Sequence, residues 1–217
     1  RYTRNPIYPL CYTFFMSNPL GAHYQLQCPE CGRMFNPRTP QTYCQDCSSP
    51  LLAHYALETL RQQLNRDEIS ARPRGMWRWH ELLPVEDPRH QVTLGEGDTP
   101  LLRLPKTSAA LGVPNLWLKD ESLNPTGTFK ARGMSAAVSK AVELGITEFV
   151  IPTAGNAGGA LGFYAGRAGC CAHVYMPRDT PDPIQYEIRM SGAEVCLVDG
   201  LINDAARLAA ADAREHG

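Results

Sequence analysis

LWLKDESLNPTGTFKARG, residues 116 to 133, is the stretch that decides the fold of this chain. The apolar run over residues 116 to 118 predicts a strand, residues 124 to 127 form a breaker-rich loop, and a helix is predicted from about Thr128. Lys130 therefore stands where a loop turns into a helix. An amine at such an edge can form a Schiff base with a carbonyl cofactor, whereas most lysines near helix starts are solvated surface groups. Position alone leaves both interpretations open.

A second segment, VIPTAGNAGGALGFYAGRAG at residues 150 to 169, follows one helix and one strand later. It predicts a buried strand from Glu148 to Thr153, a tight glycine-containing turn from Ala154 to Gly159, and a small-residue helix after it. Backbone amides at a helix start suit an anion, and Asn156 can donate a hydrogen bond to a phenolate-like oxygen. The alternative is an ordinary turn whose glycines only permit close packing.

Together, TGTFKARG and TAGNAGGAL resemble the fold type II family of pyridoxal-phosphate enzymes, and the wider pattern is most similar to its threonine synthase branch. GEGDTPLLRL, residues 95 to 104, is a third match in the family's order, and the resemblance spans residues 28 to 217. In the family this third motif is a strand-like segment that helps shape the active-site entrance. The resemblance implies an α/β protein of the tryptophan synthase β-like type, a three-layer sandwich, with a small zinc ribbon in front of it.

The resemblance also implies roles for particular residues. Lys130 would be the catalytic residue and would bind pyridoxal 5'-phosphate as a Schiff base, and Asn156 would contact the pyridine-ring hydroxyl. Thr153, Gly155 and Ala157 would flank the carboxylate of an amino-acid substrate. Ala154 departs from the family, whose members commonly have a hydroxyl residue there, which bears on substrate choice.

The activity implied by the resemblance is conversion of O-phospho-L-homoserine and water to L-threonine and phosphate. Ala154 keeps a second class open, namely another fold type II enzyme such as a serine or threonine dehydratase or a cysteate or cysteine synthase. A third hypothesis is a non-catalytic zinc-ribbon protein with a partial enzyme domain. The family suggests a homodimer.

Two CxxC pairs predict a metal site near the amino terminus. Cys28 and Cys31 form one pair, and Cys44 and Cys47 form the other, twelve residues further on. Four thiolates can close a tetrahedron around a structural zinc, which staples a segment that lacks a core of its own. Iron, disulfides or idle thiols are the alternatives. The other cysteines lack this spacing, and three of them are interpreted as small buried apolar residues: Cys170, Cys171 and Cys196.

The remaining organisation follows from composition and periodicity. A short helix is predicted from Leu57 to Asn65, and the arginine-rich and proline-rich passage after it predicts a linker that docks onto its neighbour rather than a nucleic-acid surface. Further on, parallel strands over 148 to 153, 171 to 176 and 194 to 198 alternate with helices over 158 to 168, 183 to 191 and 202 to 215. The predicted units are an extension over 1 to 15, a zinc ribbon over 16 to 57, a linker over 58 to 90, and the amino-terminal part of a catalytic domain over 91 to 217.

Composition excludes other classes of partner. The chain has 217 residues, a net charge of -1, 43% hydrophobic residues and a mean hydropathy of -0.30, which fits a globular cytoplasmic protein. No long basic run offers a footprint for nucleic acid, and no apolar stretch reaches the roughly 20 residues of a membrane span. The histidines are scattered and are interpreted as surface or packing residues.

Both ends of the chain carry expectations. Residues 1 to 15 differ from the rest, and natural translation is expected to start at Met16. The chain stops at Gly217, part-way through the alternating pattern, and no glycine cluster for a cofactor phosphate follows Gly159. The sequence is therefore expected to be truncated, and this chain alone is expected to bind the cofactor weakly or not at all.

Overall fold

The computed structural model describes residues 24 to 216. The extension expected over residues 1 to 15, the start expected at Met16 and the side chain of Cys11 lie outside those residues. The described part contains a three-stranded antiparallel sheet, a two-stranded antiparallel sheet and a three-stranded parallel sheet, in that order along the chain. Within it, no helix combines the length and the apolar character needed to cross a bilayer.

The first sheet forms a ribbon in which the central strand pairs with a neighbour on each side. Its strands are β1 (Tyr24–Gln27), β2 (Met34–Phe35) and β3 (Leu52–Tyr55). The strand order is β2-β1-β3, and the rings of Tyr24 and Tyr55 lie 5.3 Å apart between centroids. The Tyr24 hydroxyl donates a hydrogen bond of 3.2 Å to the carbonyl oxygen of Pro84, which ties the ribbon to the segment that follows it.

Short helices connect the ribbon to the parallel sheet. They are α1 (Leu57–Gln63), α2 (Arg66–Ala71) and two 3₁₀ segments, Met76–Leu82 and Pro88–His90. The helix predicted to end at Asn65 ends earlier, because Asn65 caps the next helix: its side-chain oxygen accepts from the amides of Asp67 and Glu68 at 2.8 and 3.4 Å. The sequence periodicity predicts one helix through Asn65, but the Asn65 side chain caps the start of α2 and so divides the segment into two helices.

The connecting segment docks onto its neighbours, as the sequence predicts. The Trp77 indole donates to Glu96 Oε1 at 3.1 Å and to Ser135 Oγ at 3.0 Å, and both acceptors belong to the following unit. Arg74 forms an ion pair with Asp98 at 3.1 Å. The tryptophan and the arginine are thus used within the chain.

A two-stranded sheet precedes the candidate lysine. Its elements are β4 (Leu101–Arg103), α3 (Pro105–Leu111) and β5 (Trp117–Lys119), followed by a 3₁₀ turn at Glu121–Leu123. Only three residues of GEGDTPLLRL are therefore strand, and the expectation that the whole motif is strand-like is wrong. Its first half is a loop because Gly95 and Gly97 adopt φ values of 92° and 104°, which only glycine tolerates well.

The parallel sheet and its helices confirm the predicted alternation. The elements are α4 (Lys130–Glu143), β6 (Glu148–Pro152), α5 (Asn156–Ala168), β7 (Cys171–Pro177), α6 (Asp182–Met190), β8 (Glu194–Val198) and α7 (Ile202–His216). The strand order is β6-β7-β8, and the register aligns Val150 with His173 and His173 with Glu194. Neighbouring strands are therefore consecutive in the chain.

Helices cover both faces of this sheet. Val174 and Met176 of β7 are fully buried in one cluster with Val138 of α4, Tyr164 of α5 and Ile188 of α6. Since side chains alternate along a strand, the intervening β7 residues point to the opposite face, where α7 packs against β6 and β7. The α/β class and the three-layer arrangement are confirmed.

Two of the covering helices approach closely at a glycine. A Cβ atom at Gly162 of α5 would lie 1.9 Å from the Ser191 hydroxyl oxygen at the end of α6, and 3.1 Å from the Cβ of Ala193. The small residues of α5 are therefore a packing requirement, which was the alternative interpretation of its glycines.

Candidate active site

Lys130 is the first residue of α4, directly after the loop that the sequence predicts. Gly127 adopts a φ of 67°, and its amide donates to the carbonyl oxygen of Asn124 at 2.8 Å, which turns the chain into the helix. No side chain caps α4, and the Lys130 amide donates to Thr128 Oγ1 at 3.3 Å. The helix starts two residues later than predicted because Thr128 and Phe129 remain in the turn.

The Lys130 amine is half-buried and has an aromatic neighbour. Its Nζ lies 4.8 Å from the centroid of the Phe129 ring. Between residues 24 and 216, no carboxylate lies within ion-pair distance of Nζ. The amine is therefore not neutralised by a salt bridge.

A carboxylate three residues before Asn124 holds the lysine loop in place. Arg132, on the first turn of α4, donates to both oxygens of Glu121, at 2.6 and 2.9 Å. Glu121 also accepts from Thr99 at 2.6 Å and from the Asn124 side chain at 2.9 Å. The hydrogen bond from Arg132 is the largest cause that lowers the pKa of Glu121 to about 2. The loop before Lys130 is thus fixed by a bidentate ion pair.

The second predicted segment begins α5 at the end of β6. The helix begins at Asn156, so the predicted turn from Ala154 to Gly159 is wrong over its second half. No side chain caps α5 at Gly155, and the Gly158 amide donates to the Gly155 carbonyl oxygen at 2.9 Å, whereas the amides of Asn156 and Ala157 have no acceptor within the helix. The amide of Gly155 itself donates to Thr153 Oγ1 at 3.3 Å.

The five residues around this helix start are accessible to different extents. Asn156 and Ala154 are exposed, while Thr153, Gly155 and Ala157 are half-buried. The Asn156 carboxamide is therefore accessible at the carboxyl end of β6, beside the uncapped first amides of α5. Such a helix start favours a negatively charged group.

Topology brings the lysine and this helix start to the same edge of the sheet. The chain leaves β6 at its carboxyl end into α5, and it enters β6 at its amino end from α4. Both helices therefore begin at the carboxyl edge of the sheet, and α4 and α5 pack side by side. This edge is where open α/β sheets bind ligands.

Glu96 joins the three motifs and was not recognised from the sequence as a buried group. It is 1% exposed. Its carboxylate accepts from Ser135 of α4 at 2.5 Å, from Tyr164 of α5 at 2.5 Å, and from the Trp77 indole at 3.1 Å. Burial alone would raise the pKa of Glu96, but the hydrogen bonds from Ser135 and Tyr164 outweigh it and lower the pKa below its usual value. A buried anion thus links α4 and α5 below the candidate site.

Two serines of α4 indicate from the sequence that this helix has buried polar partners, although they do not identify Glu96. Ser135 and Ser139 lie on the same helical face as Ala131 and Val138, and all four are buried. Hydroxyl groups on an apolar helical face require buried partners. The partner of Ser139 is the backbone of Val92. The Ser139 hydroxyl donates to the Val92 carbonyl oxygen at 3.4 Å and accepts from the Val92 amide at 2.7 Å.

The four predicted metal ligands converge in the ribbon. The sulfur atoms of Cys28, Cys31, Cys44 and Cys47 all lie within 4.8 Å of one another. The two CxxC loops are closed by equivalent backbone hydrogen bonds. The Gly32 amide donates to the Cys28 carbonyl oxygen, and the Ser48 amide donates to the Cys44 carbonyl oxygen, both at 2.9 Å.

The sulfur atoms are not equivalent. Cys28 and Cys44 are buried, whereas Cys31 and Cys47 are exposed. The hydrogen bond from the Cys31 amide is the main cause that lowers the pKa of Cys28 to about 7, whereas the neighbouring sulfur of Cys31 is the main cause that raises the pKa of Cys47 to about 12. Four convergent sulfur atoms suit a cation that replaces their protons.

The three remaining described cysteines differ from the prediction. Cys171 is exposed, and Cys170 and Cys196 are only half-buried. The interpretation of all three as small buried apolar residues is therefore wrong. Cys171 and Cys196 point to the α7 face of the sheet, where polar residues also lie.

Comparison with known proteins agrees with this geometry. The sequence model of a family described as "Pyridoxal-phosphate dependent enzyme" matches residues 92–217, which include both helix starts and Glu96. The chain is 32% identical over 186 residues to a threonine synthase of Methanosarcina acetivorans, a match that covers 85% of this chain and 45% of that protein. It is 33% identical over 180 residues to a threonine synthase of Methanocaldococcus jannaschii, covering 82% of this chain and 44% of that protein. The chain thus spans less than half the length of these two relatives.

Solved structures show the same fold in another enzyme. The chain matches a crystal structure of diaminopropionate ammonia lyase from Escherichia coli in its apo form with a TM-score of 0.54 and 28% identity. That match covers 59% of this chain and 39% of the other. The shared part of the fold therefore extends beyond a single motif.

Proposed function

The chain belongs to the pyridoxal-phosphate dependent enzyme family, and on that basis we propose that the full-length protein is a threonine synthase that converts O-phospho-L-homoserine and water to L-threonine and phosphate. The observation that carries this proposal is the Lys130 amine, free of any carboxylate partner among the described residues, at the sheet edge where α5 begins uncapped. The specific reaction is supported by the two threonine synthase relatives, each matched over more than four fifths of this chain.

The residues present fit pyridoxal 5'-phosphate. An amine without a salt bridge is available to its aldehyde carbon, and the exposed Asn156 carboxamide is available to its ring hydroxyl. When bound, the cofactor withdraws electrons from the substrate carbon next to the amino group.

The chain's own residues would then divide the work. Lys130 would hold the cofactor and, once released, move protons at the substrate carbons. The first amides of α5 and the Thr153 side chain would bind the substrate carboxylate, with Gly155 and Ala157 leaving room for it. Phe129 would limit the access of water to the lysine amine, since its ring lies beside Nζ.

The test is product analysis on the full-length protein. We expect O-phospho-L-homoserine to yield phosphate and L-threonine in equal amounts. Lys130→Ala should abolish this turnover, whereas Lys106→Ala, an exposed lysine on α3, should leave it near the wild-type rate. Near wild-type turnover by the Lys130 variant would refute the assignment.

A second candidate function is an ammonia lyase or dehydratase. Ala154 is exposed at the start of α5 and provides no hydroxyl to a substrate, and a structure of similar fold is a diaminopropionate ammonia lyase. The same preparation should therefore be offered L-threonine and O-phospho-L-serine. Formation of an oxo acid and ammonia from L-threonine, without phosphate release from O-phospho-L-homoserine, would favour this candidate instead.

We also propose that the ribbon binds one structural zinc ion through its four cysteines. The convergent sulfur atoms and the paired backbone closures support this, and zinc accepts four thiolates without redox chemistry. Cys31→Ser should lower the zinc content by one ion per chain and should loosen β1 to β3 in hydrogen exchange. Cys170→Ser, outside the ribbon, should change neither. An unchanged zinc content in the Cys31 variant would count against the site, and iron in the wild type would change the assigned metal.

A further inference from the structure

A histidine on the parallel sheet lies between two glutamates. His173 of β7 is aligned with Glu194, the first residue of β8, and its Nδ1 lies 3.0 Å from Glu194 Oε2. Its Nε2 lies 2.9 Å from Glu148 Oε1, at the start of β6. The parallel register therefore brings one imidazole and two carboxylates together on the α7 face of the sheet.

Both ring nitrogens of His173 face a carboxylate, but a neutral imidazole can donate a hydrogen bond to only one of them. A neutral imidazole donates through one nitrogen only, so its other nitrogen would direct a lone pair at a carboxylate. In the described part of the chain, no lysine or arginine forms an ion pair with Glu148 or Glu194. The cluster can therefore accept either an added proton or a metal ion.

A sulfur atom adds a third type of metal ligand to the cluster. Cys196 lies two residues after Glu194 on the same face of β8, and its Sγ, a nitrogen of His173 and an oxygen of Glu194 all lie within 4.8 Å of one another. Nitrogen, oxygen and sulfur together are the ligand types that zinc accepts.

We propose that His173, Glu194 and Cys196 form a second zinc site, separate from the ribbon and from the candidate active site. Zinc bound to these ligands at about 2.0 to 2.3 Å would place the donor atoms about 3.3 to 3.8 Å apart. The donors need only small side-chain movements to reach this geometry, and the exposed Glu194 is free to make them. A water molecule would complete the coordination.

Glu148 supports the proposal from the other side of the ring. A histidine that binds zinc usually donates its second ring N–H to a carboxylate, which fixes the tautomer and the ring orientation. Glu148 stands in that position, at 2.9 Å from Nε2. The site therefore has a ligand set and the outer contact that orients its histidine.

The location indicates a structural clamp. The cluster lies near the amino ends of the strands, whereas Lys130 and Asn156 lie at the carboxyl edge. A zinc ion here would fasten β8 to β7 beneath α7, without contact with a substrate at the opposite edge.

The experiment compares metal content between variants of the full-length protein equilibrated with zinc chloride and desalted. We expect His173→Ala and Cys196→Ser each to contain one zinc ion per chain fewer than wild type, whatever the ribbon holds. Cys170→Ser, on the same chain but outside the cluster, should match wild type. Glu148→Gln should keep the site with 10-fold to 100-fold weaker affinity. Equal zinc content in wild type and in the His173 and Cys196 variants would overturn the proposal.

A measurement on the wild type alone covers the case in which these variants fail to fold. Zinc should slow alkylation of Cys196 at least tenfold, as measured by mass spectrometry of its peptide, and should leave the alkylation of Cys170 unchanged. A Cys196 alkylation rate that does not respond to zinc would contradict the site.

Discussion

Removal of a single buried hydroxyl group tests the link between α4, α5 and the GEGDTP loop. Tyr164 is 0% exposed, and its hydroxyl donates to Glu96 Oε2 at 2.5 Å. Tyr164→Phe keeps the ring and its packing and removes only this donor. The change is therefore specific for one charge-assisted hydrogen bond in the interior.

The magnitude follows from the surroundings of the carboxylate. A buried hydrogen bond to a charged group contributes about 1.5 to 3 kcal/mol. Glu96 keeps other donors, Ser135 at 2.5 Å and the Trp77 indole at 3.1 Å, so the carboxylate is not left without partners. We therefore expect a loss of about 2 kcal/mol in the free energy of unfolding, which corresponds to a fall of about 4 to 8 °C in Tm for a chain of this size.

The assay is urea unfolding of this chain, followed by circular dichroism at 222 nm. Tyr186→Phe is the matched control, because Tyr186 is 63% exposed on α6, and its change should stay within about 0.5 kcal/mol. A double-mutant cycle with Glu96→Gln should give a coupling energy above about 1 kcal/mol. If Tyr164→Phe is as stable as the control, the hydrogen bond does not hold the helices together and the reasoning fails.

Three further predictions concern one ion pair and two helix glycines. The pKa of Glu121 is lowered from 4.5 to about 2, chiefly by the hydrogen bond from Arg132 and further by those from Thr99 and Asn124. These contacts should together contribute about 1 to 2 kcal/mol above pH 4.5 and lose that contribution as the pH falls towards 2. Glu121→Gln should flatten the pH dependence of stability in that window, and an unchanged slope would contradict the prediction. Gly162→Ala should destabilise the chain by about 1 to 3 kcal/mol, because the new methyl group would lie 1.9 Å from the Ser191 hydroxyl oxygen. Gly133→Ala on α4, where the new Cβ would meet no atom within 4 Å, should instead stabilise by up to about 1 kcal/mol in the same urea unfolding experiments.

The alternation of strands and helices was predictable because it depends on local periodicity. Strand β8 begins and ends at the predicted residues, Glu194 and Val198, and α7 ends within one residue of the prediction. Apolar residues at strand and helix periods report directly which face of each element is buried. The convergence of four cysteines was predictable for a similar reason, since the CxxC spacing fixes the local chemistry.

The start of α5 was not predictable from local propensity. Gly158 and Gly159 indicate a turn by composition, yet both are helical. Gly158 is required by packing, because a Cβ there would lie 2.9 Å from the side chains of both Ile188 and Val174. The packing of α6 on α5 therefore overrides the turn preference, and the sequence of α5 alone contains no sign of it.

Groups that depend on distant partners were missed for the same physical reason. The sequence predicts a surface or packing role for His173, because nothing local reveals that the sheet register places Glu194 beside it. Glu96 stands 39 residues from Ser135 and 68 residues from Tyr164, the two donors that keep it charged in the interior. Only the assembled fold shows these partners.

The position of Glu96 explains why the three motifs occur together in one chain. Ser135 lies five residues into α4 from Lys130, and Tyr164 lies eight residues into α5 from Asn156, which correspond to about 7.5 and 12 Å along the two helix axes. The carboxylate therefore fastens both helices one to two turns below their first residues. Rigidity at that depth fixes the two helix starts, while the side chains of Lys130 and Asn156 make no hydrogen bond or ion pair with any side chain between residues 24 and 216. A site that binds a cofactor and a substrate needs rigid supporting helices and side chains that are available for the ligands. The buried Glu96 carboxylate fixes α4 and α5 without using Lys130 or Asn156, so it meets both needs.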